Sequence, residues 1–203
     1  MLLDQIVLAT RNSGKLLEIR ELLKETDVRV MSLENFPEIP EIEEDGETFE
    51  ENALKKAGFV ASRLGIPALA DDSGLCVDAL FGKPGVRSAR YGGTEFNDAQ
   101  RYLKLLDEMK GVKTSDRTAR FVCVIALVFP DGKRNLFRGE CEGRILTEPR
   151  GSGGFGYDPV FYYQEFDLTF GEMDSGTKNL VSHRSRALKV FVDFLEKTSK
   201  TGS

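Results

Sequence analysis

The sequence predicts an α/β fold: a mixed sheet with helices packed on it. Three observations lead there. The first third alternates short apolar runs rich in β-formers with segments of helical period. In the middle, residues 121–129 and 136–146 flank Pro130-Asp131-Gly132, a turn sequence, and read as a long hairpin. The chain then closes on an amphipathic helix. A hairpin inside such an order excludes a purely parallel sheet.

Residues 5–10 (QIVLAT) open as a strand. Ser13 is expected to cap a helix in which Leu16, Ile19 and Leu23 share one face. Residues 28–31 read as a second strand. Thr48 and Glu51 fit a capping box that starts a long helix, with Phe49, Ala53, Ala57, Val60, Ala61 and Leu64 inward. Gly65 ends that helix and Pro67 confirms the stop. A short strand, 68–70, then runs into Asp71-Asp72-Ser73-Gly74. Asn97 and Gln100 form another cap pair, before a stripe of Tyr102, Leu105, Leu106 and Met109. Ser182 is expected to start the last helix, whose apolar face is Ala187, Val190, Phe191, Phe194 and Leu195. One domain over residues 1–203 is expected, with a polar, frayed tail from about 197.

Composition narrows the function classes. The 28 basic and 33 acidic side chains leave a net charge of -5, which argues against a nucleic-acid surface but not against a small anionic ligand. The three cysteines, Cys76, Cys123 and Cys141, form no CxxC, as in a reduced, cytoplasmic protein. The N-terminus does not read as a signal peptide. The longest apolar run, 121–129, is nine residues where a membrane helix needs about 20, so no membrane is expected.

Five segments carry candidate chemistry. Thr10-Arg11-Asn12-Ser13-Gly14-Lys15 joins a strand end to a helix start, where free N–H groups, the helix dipole and Lys15 favour an anion. It lacks the spacing of a Walker A loop and fits an ordinary capped helix start equally. Asp71 and Asp72 are adjacent carboxylates that need partners if buried. Magnesium is a natural one, and a free carboxylate can also deprotonate water; an Asp-rich turn is the plain alternative. Residues 38–51 hold eight acidic side chains, a solvated face or the source of a second metal ligand at Glu43-Glu44. Residues 151–159 (GSGGFGYDP) contain GxGxxG, yet Pro159 forbids the helix that a dinucleotide fingerprint requires. Four glycines beside Phe155 and Tyr157 fit either a loop for a flat ring or a tight turn with core aromatics. Lys178, His183 and Arg184 cluster at a helix start, where cations are unfavourable unless an anion is present; a surface cluster paired with acids also fits. A zinc site and a Ser-His-Asp hydrolase find no motif.

In this order the segments resemble the inosine/xanthosine triphosphate pyrophosphatase family. The matching residues are TRNSGK (10–15), EEDGETFEENALKKA (43–57), ALADDSGLCVDAL (68–80), PGVRSARY (84–91), GGFGYDPVF (153–161) and KNLVSHR (178–184). The resemblance implies a curved mixed sheet, two lobes enclosing a nucleotide cleft, and a homodimer. It implies Mg²⁺-dependent hydrolysis of ITP, dITP or XTP to the monophosphate and pyrophosphate. By motif, Thr10, Arg11, Asn12, Ser13, Gly14 and Lys15 would hold the triphosphate. Asp72 would bind metal and accept the proton of water, with Glu43 the second metal ligand and Glu44 its fallback. Ser73 would contact substrate. Phe155 would stack on the base, with Gly156, Tyr157 and Asp158 shaping the pocket. Lys178 would meet phosphate or ribose, and His183 and Arg184 the base edge; Arg90 would line the cleft. Two other readings compete: a Maf-like pyrophosphatase for other modified nucleotides, and a non-catalytic nucleotide sensor.

Overall fold

The computed structural model describes residues 3–200. Seven strands are ordered β2-β1-β3-β4-β5-β6-β7. They are β1 (Gln5–Leu8), β2 (Arg29–Ser32), β3 (Ala68–Val77), β4 (Thr118–Val128), β5 (Arg134–Ile145), β6 (Phe161–Tyr163) and β7 (Leu168–Thr169). β1 pairs parallel with β2 and β3, whereas β5–β6 and β6–β7 are antiparallel, so the sheet is mixed. The helices are α1 (Ser13–Leu23), α2 (Phe49–Leu64), α3 (Asp98–Glu108), α4 (Ser175–Val181) and α5 (His183–Lys200). The chain forms two compact units. One comprises the chain up to Asp72, Cys123–Gly139 and the chain from Arg184; the other comprises Ser73–Val122 and Glu140–His183.

In the first unit, Leu16, Ile19 and Leu23 of α1 and Ala187, Leu188, Phe191 and Leu195 of α5 pack with Ile6, Leu8 and Leu69. In the second, Leu75, Val77, Phe121, Phe161, Phe170 and Val181 share a core with Leu105 and Met109 from the α3 region. Both capping boxes form: Thr48 accepts from the Glu51 N–H, and Asn97 from the Gln100 N–H. Gly65 ends α2 in the left-handed region at φ 66°, where a side chain would be strained.

Five local expectations need correction. Asn12, not Ser13, caps α1; its side chain accepts from the Lys15 N–H at 3.0 Å, because a cap lies one residue before the first helical one. β3 does not stop at Ala70 but runs ten residues through both aspartates, whose charges find buried partners. A helix missed in the sequence, α4, is capped by Asp174 and carries Lys178; Ser182 breaks it from α5, which starts at His183. Val190 is about half exposed instead of facing the core. Residues 197–198 are exposed but helical, with Thr198 Oγ1 donating to the Phe194 carbonyl at 3.0 Å.

Candidate active site

Successive side chains of a strand point to opposite faces, and this separates the two aspartates of β3. Asp71 shares its face with Leu69, on the side covered by α1 and α5. Its Oδ2 lies 3.2 Å from Lys15 Nζ and 3.2 Å from Arg184 Nη2. Arg184 is itself buried and also pairs with Glu18. Burial pushes the Asp71 carboxyl up, but Lys15, Arg184 and Lys56 together hold it well below the usual carboxylate range. Asp71 is thus a fixed anion that anchors two cations.

Asp72 faces α2. Asn52 Nδ2 donates to its Oδ2 at 3.0 Å, and Lys56 Nζ lies 3.8 Å from its Oδ1. Lys56 also donates to the Asp71 carbonyl at 2.7 Å and pairs with Glu44. Burial pushes the Asp72 carboxyl up to about 6; Lys56, Lys15 and the Asn52 bond pull the other way, and Glu44 adds to the rise. Two neighbouring carboxylates are therefore driven apart in acidity by what each one faces.

Lys56 and Asn52 are the functional-looking residues that sequence reasoning missed. A signal existed: both lie on the stripe of α2 that carries Phe49, Ala53, Ala57 and Val60, and polar groups on a buried stripe require partners. Of the two acidic candidates, the structure brings Glu44 to Lys56 and Asp72, while Glu43 is exposed. Asp72 and Glu44 offer oxygen ligands only, the donor set magnesium prefers, and magnesium usually takes just one or two carboxylates. Among the described residues, no group of three or more His, Cys, Asp or Glu that could hold a metal is gathered. The pair fits a metal that completes its shell with water and phosphate.

The 10–15 segment lies in the same unit. Lys15 sits at the first turn of α1, with its ammonium on Asp71. Asn12 N–H donates to Thr10 Oγ1 at 3.2 Å, which tightens the turn. Arg11, Asn12 and Ser13 are exposed, and Arg11 Nη2 donates to the Ile39 carbonyl at 2.6 Å. Arg11 thereby ties this turn to the segment that leads into the acidic loop.

The second unit holds the aromatic candidates. Asp158 Oδ2 accepts from the Phe155 N–H at 2.9 Å and from Lys178 Nζ at 2.8 Å, so one buried carboxylate closes the glycine-rich loop onto α4. Gly154 has φ 72°, and a Cβ there would meet Asp158 Oδ2 at 2.1 Å. Lys178 Nζ also lies 4.6 Å from the centroid of the half-buried Phe155 ring. Gly156 N–H donates to Asp98 Oδ2 at 2.7 Å, and Tyr157 OH to the Ser88 carbonyl at 2.9 Å. The His183 ring is buried and stacks on Phe121, with centroids 4.7 Å apart. Ser73 and Arg90 are half-buried. A cavity of about 390 Å³, lined by Arg120, Glu142, Arg144 and Glu165 among others, contains none of the expected site residues.

The Ham1 family profile matches residues 6–194. A dITP/XTP pyrophosphatase of Geobacter sulfurreducens is 55% identical over 193 residues, covering 95% of this chain and 97% of that protein. One of Shouchella clausii is 51% identical, with 96% and 98% covered. Among solved structures, a HAM1 protein from Coxiella burnetii superposes with TM-score 0.89 at 45% identity, covering 97% of this chain and 100% of that one. The Staphylococcus aureus Ham1 protein does so at 0.87 and 38%, with 96% and 99% covered. By the near full-length family match and the shared fold, the chain belongs to the Ham1 family.

Proposed function

We propose that this protein is a nucleoside triphosphate pyrophosphatase that hydrolyses non-canonical purine triphosphates (ITP, dITP and XTP) to the monophosphate and pyrophosphate. The observation that carries the reading is the buried Asp72 carboxyl, pushed up to about 6 beside Lys56 and Glu44, in a chain whose relatives are named for this activity. A carboxylate that is ionised at neutral pH and faces the reacting water can accept its proton. Asp72 accepts the proton of a water that attacks the α-phosphorus. The α–β anhydride bond breaks, its electron pair leaves on pyrophosphate, and the water oxygen stays on the monophosphate.

Each group has a role in the same proposal. Lys15 and the N–H groups of the 10–14 turn hold phosphate oxygens, with Lys56 as a second cation. Asp72 and Glu44 would hold Mg²⁺, the geometry favouring Glu44 over Glu43, and the ion would supply charge neutralisation at the phosphates and a more acidic water. Ser73 contacts substrate. Phe155 stacks on the purine, while Gly156, Tyr157 and Asp158 shape its loop. Lys178 meets phosphate or ribose. His183 donates to the 6-oxo group; the Arg184 guanidinium, expected at the base edge, is buried on Asp71 and Glu18 and steadies the first turn of α5, where His183 sits. Adenine carries a 6-amino donor at that point, and donor against donor can lower the rate by about 10⁴–10⁵. The activity resides in one domain, and the working form is a cytoplasmic homodimer without nucleic acid or membrane.

The test is pyrophosphate release from ITP, dITP, XTP, ATP and GTP, with Mg²⁺ and with chelator. Mg²⁺-dependent turnover of the first three alone supports the proposal. Binding without turnover would point to a sensor, and equal turnover of all five would remove the selectivity argument.

A further inference from the structure

Asn52 is fully buried in the first turns of α2. Its side-chain amide bridges two things that the metal reading needs together. Oδ1 accepts from the Gly46 N–H at 2.8 Å, and Nδ2 donates to Asp72 Oδ2 at 3.0 Å. The amide orientation follows from the partners: the backbone N–H needs an oxygen, and the carboxylate needs a donor. Turning the group over would oppose donor to donor and oxygen to oxygen.

The acidic loop is fastened to α2 at several further points. Glu51 Oε2 accepts from the Glu47 N–H at 2.8 Å and the Thr48 N–H at 3.3 Å, and Lys55 pairs with Asp45 at 2.5 Å. These contacts are exposed and act on the loop alone. Among the contacts described, only Asn52 links the loop backbone directly to Asp72. The fit is close: a Cβ on Gly46 would lie 2.8 Å from Asn52 Oδ1 and 2.9 Å from Glu51 Cβ. Glycine at 46 lets the loop come within hydrogen-bond reach of Asn52, and Glu44 is two residues away.

We propose that Asn52 is a positioning residue that sets the distance between the Glu44 loop and Asp72, and so determines how tightly this pair of carboxylates holds a divalent cation. The inference rests on the reading of Asp72 and Glu44 as metal ligands. Groups that orient metal ligands typically cost about 10–100-fold in affinity or activity when lost.

The experiment titrates Mn²⁺ into the nucleotide-free protein and follows the free-ion EPR signal, for the parent, Asn52→Ala, Gly46→Ala and Asp72→Asn. Asn52→Ala and Gly46→Ala are each expected to weaken Mn²⁺ binding about tenfold. In turnover, both should raise the Mg²⁺ concentration for half-maximal rate by a similar factor, while KM for dITP at saturating Mg²⁺ stays within about threefold. A merely structural role would lower the melting temperature without moving the metal titration. Parent-like Mn²⁺ binding by a folded Asn52→Ala overturns the inference. If Asn52→Ala does not fold, Gly46→Ala decides, since its Cβ crowds the Asn52 amide from the loop side while the asparagine itself is kept. Failure of the underlying reading is distinct: there the parent binds no Mn²⁺, or Asp72→Asn binds it unchanged.

Discussion

Replacing either aspartate of β3 by asparagine removes one charge and almost no volume, yet the two substitutions should act in opposite directions. Asp71 lies 3.2 Å from each of two cations, Lys15 and the buried Arg184. At an effective dielectric constant of 20, each such pair is worth about 5 kcal/mol before desolvation. Breaking a buried pair from one side typically costs about 3–5 kcal/mol. Glu18 still pairs with Arg184, and Lys15 is 14% exposed, so the low end applies, about 3 kcal/mol for Asp71→Asn. For a chain of this size that lowers the melting temperature by about 6–12 °C. Asp72 is the reverse case. Holding its carboxylate charged at pH 7, against a folded-state pKa of about 6, costs on the order of 2–3 kcal/mol relative to the unfolded chain. Asparagine removes that cost and still accepts from Asn52, so Asp72→Asn should melt level with the parent or up to ~5 °C above it, while turnover is lost. The pH dependence has matching signs. The Asp71 contribution is complete above the unfolded carboxyl pKa and fades as pH falls through its lowered folded value. The Asp72 penalty is present above about 6 and gone below the unfolded value, so the advantage of Asp72→Asn vanishes by about pH 4. The assay is thermal melting in chelator at pH 7 and pH 4, with pyrophosphate release alongside. Equal destabilisation by both substitutions would refute the division of labour.

Three further outcomes follow from the same geometry. Gly154→Ala should raise KM for dITP at least tenfold, because the new Cβ would meet Asp158 Oδ2 at 2.1 Å and φ is 72°; Gly65→Ala has φ 66° but nothing within 4 Å, so it should lower stability by about 1 kcal/mol and leave turnover alone, as steady-state rates and melting curves will register. Lys56→Met leaves Asp72 and Glu44 without their shared cation, so its melting temperature in chelator should fall by several degrees, and Mg²⁺ should recover more of it than in the parent, as calorimetry with and without the ion checks. In the native protein at pH 8, iodoacetamide should label the half-buried Cys76 well before the other cysteines, since Cys141 is buried and burial pushes the Cys123 thiol up to about 12; mass mapping of the labelled peptides reads the order.

What the sequence disclosed was what local chemistry determines. The Thr48/Glu51 and Asn97/Gln100 boxes formed because a cap needs only residues three apart, and Gly65 stopped α2 because its backbone freedom is its own. The extent of β3 was not legible. An Asp-Asp pair reads as a turn unless cations reach it, and Arg184 arrives from 113 residues away. Helix α4 was missed for a related reason: its seven residues include Gly176, a poor helix former, and its cap, Asp174, is of a type equally common in turns. For the site, the resemblance supplied the order of the motifs, but not that Glu44 rather than Glu43 approaches Asp72, nor that Asn52 and Lys56 do. Those facts depend on which face of α2 meets β3.

The same alternation explains why one kind of residue carries two kinds of chemistry in adjacent positions. A shift of one residue along β3 would turn each aspartate to the opposite face. Which aspartate meets Lys56 and Asn52 is therefore a property of strand register. Leu69 and Ala70 are both buried, and Leu69 packs with the apolar residues of α1 and α5, so a slip would take it out of that core. His183 and Arg184 follow the same logic on α5: one ring stacks on Phe121 while the next guanidinium is held by Asp71 and Glu18, because consecutive helical side chains point about 100° apart. The polar motifs can perform distinct tasks at adjacent positions because the apolar residues beside them dictate which way each one faces.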